Sequence, residues 1–210
     1  MVLLEIVGAF VALLIIGGLV IYGVMIYNGL VRLRKNIDKA WSNIDVLLKQ
    51  RSDELPKLID TAKEYMEYEK ETLQEITEAR TKVQEADSPG EKADADAQLR
   101  GALGEFFAVA EDYPELKANE NFMQLQERIS SIEERIADRR EFYNSSVNTY
   151  NIRINQIPYN IVANQMGYDD KELFEASEGE KQDVDISEMF GSGGGGGGSS
   201  GGSETTQAQG

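Results

Sequence analysis

The sequence predicts an all-α protein, with an N-terminal transmembrane helix followed by a long antiparallel helical bundle. An uncharged apolar stretch lies near the N-terminus, and the segments after it repeat apolar residues at steps of three or four. Turn-forming residues separate those segments at Ser88, Pro89 and Gly90 and again at Pro158. This periodicity favours helices that bury one face against one another.

Residues 6–31 contain no charged side chain, and about 20 apolar residues are enough to cross a bilayer core. We predict a short leader over residues 1–5 and a transmembrane helix over residues 6–28. A cleaved signal peptide would instead place Lys or Arg ahead of a shorter apolar run, whereas this leader reads MVLLE. Gly8 and Ala12 are four positions apart and could let a second membrane helix approach closely, although Gly is simply frequent in membrane helices.

Basic residues crowd the C-terminal side of the apolar segment, while the N-terminal side offers only Glu5 and the terminal amine. Because Lys and Arg are retained on the cytoplasmic side of membranes, we predict a single-pass protein of the cell membrane. Its N-terminus lies outside and its helical domain in the cytoplasm. The basic residues are Arg32, Arg34, Lys35 and Lys39.

The predicted bundle covers residues 29–167 and begins with an apolar seam that only Arg51 interrupts. We predict that its first helix continues to about Gln84, and that Pro56 either kinks it or ends it, because proline removes one backbone donor. The seam residues are Leu33, Ile37, Trp41, Ile44, Leu48, Leu55, Leu58, Ala62 and Met66. Trp41, the only tryptophan, is expected to pack in the core or near the membrane rather than to form a recognition surface.

Three further helices complete the predicted bundle. The second covers Glu91–Asp112, the third follows a cap at Asn119, and a short fourth helix after Pro158 ends at Gly167. The inner positions of the third helix are Phe122, Leu125, Ile129, Ile132, Ile136, Tyr143, Tyr150, Ile154 and Ile157, with Val147 filling part of the gap around two arginines.

The C-terminal part of the chain changes character twice. Residues 168–190 are acidic with scattered apolar anchors such as Leu173 and Phe174, and we predict an irregular strap along the bundle. Residues 191–210 form a Gly/Ser-rich tract that cannot bury a core, and we predict a disordered tail.

Composition excludes several classes of function. The net charge of -16, concentrated in residues 71–190, argues against nucleic-acid binding, which needs a basic surface. The acidic excess is typical of a solvated surface, with a docking face for a basic partner as the alternative. The chain has no Cys and no His, which removes thiolate chemistry and the commonest general base and metal ligand. We therefore expect no enzyme activity, no cofactor, no metal and no small-molecule substrate.

A stripe of carboxamides runs beside the apolar seam of the third helix. Amides bonded across helices fix register and pairing, which is the structural interpretation. The functional alternative is a polar groove that holds an ion or a peptide. The stripe consists of Asn144, Asn148, Asn151 and Asn155.

Four strings carry a family resemblance: YNGLVRLR from Tyr27, AWSNIDVLLKQRSDELPKLIDTAKEY from Ala40, YPELKANENFMQLQERISSIEERIADRREFYNSSVNTYN from Tyr113, and PYNIVANQMGY from Pro158. Through them the sequence resembles the LemA family across nearly its whole folded length. The resemblance implies a membrane anchor followed by a cytoplasmic antiparallel helical domain. It implies no established enzymatic activity or ligand, and it transfers no catalytic residues.

The resemblance and the composition together lead to two expectations about function. The first is a non-enzymatic scaffold whose helices self-associate into a homo-oligomer or order the lipid bilayer nearby. The second is an adaptor on the cytoplasmic face that binds a membrane protein such as a membrane protease, because genes of the family often lie beside genes for such proteases. An enzyme is a distant third.

Overall fold

A computed structural model describes residues 1–176, in which the regular elements are all α-helices and no strand is present. This confirms the predicted all-α class. The described helices are α1 (Val2–Lys63), α2 (Lys70–Glu85), α3 (Pro89–Ala110), α4 (Pro114–Lys117), α5 (Glu120–Asn155) and α6 (Tyr159–Gln165). The predicted Gly/Ser-rich tail and residues 177–190 of the predicted strap lie outside the described residues.

Helix α1 joins the apolar N-terminal segment to the bundle without a break. Its 62 residues would extend about 93 Å at 1.5 Å per residue. The side chains from Val2 to Met25 are exposed apart from a partly covered Gly23, and α1 is long and apolar enough to cross a membrane. The bundle begins at Ile26 and Leu30, which are buried, so it starts within the segment predicted to be transmembrane. Residues 6–25 still extend about 30 Å, the thickness of a bilayer core.

Pro56 neither ends nor interrupts α1, which continues to Lys63. A proline at this position cannot donate to the carbonyl of Ser52, four residues earlier. The side chain of Arg80 on α2 makes up this loss, because its Nε donates to the Ser52 carbonyl oxygen at 2.8 Å. The helix therefore tolerates the proline through a contact from a neighbouring helix.

The prediction that the first helix continues to Gln84 is wrong. The chain turns over residues 64–69, buries Met66, and returns as α2 antiparallel to α1. No Gly or Pro marks this turn. The turn is favoured by packing, because α2 can then bury Leu73, Ile76 and Val83 in the core.

Helix α5 runs antiparallel to α1 and supplies the other long side of the bundle. It begins after Asn119, whose Oδ1 accepts from the backbone N–H groups of Asn121 and Phe122. Its predicted inner positions are buried from Phe122 to Ile154, and Val147 is buried among them. The prediction that Ile157 is an inner position of this helix is wrong, because α5 ends at Asn155 and the Ile157 side chain is 83% exposed.

A glycine turn closes α6 and reverses the chain. Gly167 has φ +62°, a backbone conformation that favours glycine. The N–H of Gly167 donates to the carbonyl of Asn164 at 3.2 Å, and that of Tyr168 donates to Ala163 at 3.0 Å. This hydrogen-bond pattern is the Schellman motif, and it directs the following residues back along α5.

Candidate functional site

Residues 168–176, here called the strap segment, form neither helix nor strand. They run along α5 in the opposite direction to that helix and contact side chains of α1 and the first turn of α3. The segment is held in a groove whose polar wall is the asparagine stripe of α5 and whose apolar wall includes Trp41. This groove is the candidate functional site.

Two asparagines bind the backbone of the strap segment with both ends of their carboxamides. Asn144 accepts from the N–H of Phe174 at 2.8 Å and donates to its carbonyl at 3.2 Å. Asn151 does the same for Lys171, at 2.8 Å and 2.9 Å. A carboxamide carries one acceptor and two donors, so it can replace the partner that a neighbouring strand would supply.

The spacing of these asparagines matches an extended peptide. Asn144 and Asn151 are seven residues apart, which is about 10.5 Å along an α-helix. Lys171 and Phe174 are three residues apart, which is about 10 Å along an extended chain. The stripe therefore holds extended backbone in register over two helical turns.

Further hydrogen bonds secure the middle and the start of the strap segment. Asn155 donates to Oδ1 of Asp170 at 3.0 Å, and the hydroxyl of Tyr143 donates to the carbonyl of Glu172 at 2.9 Å. Burial raises the pKa of Tyr143 to about 12, with the charges of Glu172 and Asp38 adding to the effect. The phenol is therefore a protonated donor throughout the neutral pH range.

Aromatic side chains anchor the strap segment on its apolar side. Phe174 is completely buried, and its ring centroid lies 5.9 Å from that of Trp41. Trp41 also lies 5.6 Å from the ring of Tyr143, so it packs between α5 and the strap segment. At the other end of the segment, the guanidinium of Arg34 lies 5.1 Å from the ring centroid of Tyr168.

The strap segment also contacts the first turn of α3. The carboxylate of Glu172 occupies the space beside Gly90 where a Cβ atom would lie. Exposed N–H groups in the first turn of a helix favour a nearby negative charge. One short segment thus joins α1, α3 and α5.

The asparagines of the predicted stripe do not all have the same role in the structure. We expected the amides to bond across helices, but Asn144, Asn151 and Asn155 bond to the strap segment instead. Asn148 is exposed, and its side chain makes no hydrogen bond to any other residue within 1–176. Gly8 and Ala12 are exposed on α1, far along the chain from this groove, and a Cβ at Gly8 would meet nothing within 4 Å.

We expect Asn151→Ala to lower the free energy of unfolding by about 1–3 kcal/mol, because it removes two hydrogen bonds to partly buried backbone. Asn148→Ala is the matched control and should change it by less than about 0.5 kcal/mol. Urea denaturation of the full chain in detergent micelles, followed by Trp41 fluorescence, measures both. Equal effects of the two substitutions would contradict the assignment of the groove.

A second polar cluster, centred on Arg51, was not predicted from the sequence. The guanidinium is completely buried between three helices, where it donates to Asp96 of α3 and Glu133 of α5. Arg100 also pairs with Asp96, at 3.3 Å. Burial raises the pKa of Glu133, and the charge of Arg51 opposes that rise. The available signal was the single arginine in an apolar seam, since a buried charge requires partners.

The groove binds the backbone of the strap segment through side-chain hydrogen bonds. Its hydrogen bonds come from neutral amides and a phenol, which select extended conformation more than side-chain identity. Among residues 1–176, no three acidic side chains are grouped closely enough to hold a metal ion.

Residues 40–187 match the model of the LemA family. Over 74 residues, the chain is 32% identical to two proteins of Paramagnetospirillum magneticum, Magnetosome protein MamQ 1 and Magnetosome protein MamQ 2. The aligned part covers 35% of this chain and 27% of each relative. The chain thus spans about a quarter of the length of the curated relatives it matches.

Proposed function

Because the chain belongs to the LemA family, we propose that it is a non-enzymatic scaffold, anchored in the membrane by α1, that self-associates or orders the membrane nearby. The observation that carries this proposal is the continuity of α1 from its exposed apolar part into the bundle core. A continuous helix transmits position and orientation from the bilayer to the bundle, whereas a flexible linker would not.

The dimensions of the bundle suit such a role. From Ile26 to Lys63, α1 extends about 57 Å, and the 36 residues of α5 extend about 54 Å beside it. The strap segment and the Arg51 cluster each join three helices, and both favour a rigid body. A rigid projection of fixed length can space or align other components.

Cross-linking in native membranes tests the scaffold. A photoreactive amino acid at Ala12 samples the exposed small-residue face of α1, and one at Arg139 samples the exposed surface of α5. The scaffold predicts cross-links mainly to other copies of the same chain from at least one of these positions. Dominant links to one foreign protein, in stoichiometric amount, would overturn it.

The adaptor remains a second candidate because the groove of α5 binds extended backbone. A foreign extended segment could use the same amides if the strap segment were displaced, since they bind main-chain atoms. This role predicts foreign cross-links from a photoreactive amino acid placed at Asn148, which lies in the stripe and is exposed. Mass spectrometry would identify the partner and show whether it is a membrane protease.

A further inference from the structure

We infer that the bundle has a second contact with the membrane, at the corner formed by residues 152–166, and that this corner binds the phosphate of an anionic lipid between Arg32 and Arg153. The inference rests on membrane anchoring by α1, and it does not depend on self-association or on a protein partner.

The position of the corner follows from its contacts with α1. Tyr159 and Arg153 line the same cavity as Tyr22 and Met25. If the bilayer core begins at Ile6, about 30 Å of helix brings α1 to Met25 at the opposite edge of the core. The corner therefore lies at the level where the hydrocarbon core meets the lipid headgroups.

Exposed apolar side chains cluster at this corner. Ile157 and Ile161 are 83% and 67% exposed, and Ile152 and Met166 are exposed as well. Large aliphatic side chains in water are unfavourable, and each would gain by entering the boundary between headgroups and acyl chains. Because α1 already places the corner beside the bilayer, the lipid surface is the occupant that fits these residues.

The cavity beside this apolar surface is cationic and aromatic. It has a volume of about 420 Å³, and Arg32 and Arg153 line it together with Tyr22 and Tyr159. The guanidinium of Arg153 lies 4.8 Å from the ring centroid of Tyr159, which holds the charge at the cavity wall. Neither arginine forms a salt bridge with any residue in the described part of the chain.

This combination of residues matches the chemistry of a lipid phosphate. Guanidinium groups bind phosphate oxygens through paired hydrogen bonds, and tyrosines are enriched at headgroup level. The other basic residues after the membrane helix, Arg34, Lys35 and Lys39, do not line this cavity. Arg32 and Arg153 therefore remain as the pair that an anionic headgroup can reach.

The amount of anionic lipid that stays bound to the chain after extraction measures this binding directly. The full chain is reconstituted with equal phosphatidylcholine and phosphatidylglycerol, extracted in mild detergent, and examined by native mass spectrometry. We expect the wild-type chain to retain phosphatidylglycerol preferentially. The Arg32→Gln, Arg153→Gln double variant should retain less phosphatidylglycerol, by about fivefold for each arginine removed. The control is Arg135→Gln with Arg139→Gln, which removes the same charge from exposed positions of α5. Equal retention of the two lipids by the wild-type chain, or unchanged retention in the first variant, would overturn the inference.

Label depth provides a measurement that does not depend on those variants. Since the chain has no cysteine, Ile161→Cys offers one site for a spin label. In vesicles, this label should be shielded from a water-soluble paramagnetic reagent and accessible to oxygen. Tyr68→Cys is the control, because Tyr68 is 90% exposed at the opposite end of the bundle. Equal exposure of both labels to the aqueous reagent would contradict the corner's contact with the membrane.

Failure of the anchor and failure of this inference give different results. If α1 does not hold the chain in the membrane, a high-salt and alkaline wash releases the protein from vesicles. If only the inference fails, the protein stays with the vesicles, retains no anionic lipid preferentially, and leaves the label at position 161 exposed to water.

Discussion

Replacing Asp96 by alanine is expected to lower the free energy of unfolding by about 3–5 kcal/mol, because it deprives the buried charge of Arg51 of the more deeply buried of its two carboxylate partners. Asp96 is itself buried and also pairs with Arg100 at 3.3 Å. The substitution therefore removes the acidic centre of a cluster that joins α1, α3 and α5. The side chains of Arg51 and Asp96 are both almost completely buried, so solvent does little to screen the charge that remains.

Urea denaturation in detergent micelles, followed by the fluorescence of Trp41, measures this loss. Asp138→Ala is the matched control, because Asp138 is exposed on α5 and its removal should cost less than about 0.5 kcal/mol. A triple variant, Arg51→Met with Asp96→Leu and Glu133→Gln, should be closer to the wild type than Asp96→Ala alone, since it leaves none of these buried charges without a partner. Equal stability of Asp96→Ala and Asp138→Ala would show that the cluster contributes nothing.

Replacing Phe174 by alanine is expected to release the strap segment while the helices remain folded. A buried phenylalanine contributes about 3–5 kcal/mol, and the other contacts of the segment are a few hydrogen bonds and the ring of Tyr168. Because the segment follows the last described helix, it can detach as a local unit. The substitution should therefore detach the strap segment without unfolding the helical bundle.

Amide hydrogen exchange measures the detachment. The N–H groups of Lys171 and Phe174, which donate to asparagine side chains, should exchange at least about a hundredfold faster in the variant. The emission of Trp41 should shift to longer wavelength as its ring loses a neighbour. Phe142→Ala provides the control, because Phe142 is an exposed phenylalanine of α5. If the N–H of Lys171 stays equally protected from exchange in Phe174→Ala, Phe174 does not hold the strap segment in place.

Features that depend on neighbouring residues were predictable from the sequence. The uncharged apolar run, the cap at Asn119 and the glycine turn at Gly167 act within a few residues, so their signals lie in adjacent letters. The apolar seam of α1 also identified its buried face, because helical periodicity alone decides which residues share a side.

Features that depend on distant residues were not predictable in the same way. No local breaker ends α1 at Lys63, and Pro56 is tolerated because Arg80 donates to the carbonyl that the proline leaves free. The asparagine stripe could be recognised in the sequence, but the strap segment that it binds could not. Only the turn at Gly167 brings Lys171 and Phe174 alongside it.

The sequence by itself determined the helical class, the long apolar N-terminal segment and the faces that the long helices bury, because periodicity and local capping are properties of contiguous residues. The tertiary structure decided where α1 turns, how the charge of Arg51 is balanced, and what the asparagines bind. Each of these depends on a hydrogen bond or ion pair between residues far apart in the chain. Such pairs form only when packing has fixed which helices are neighbours.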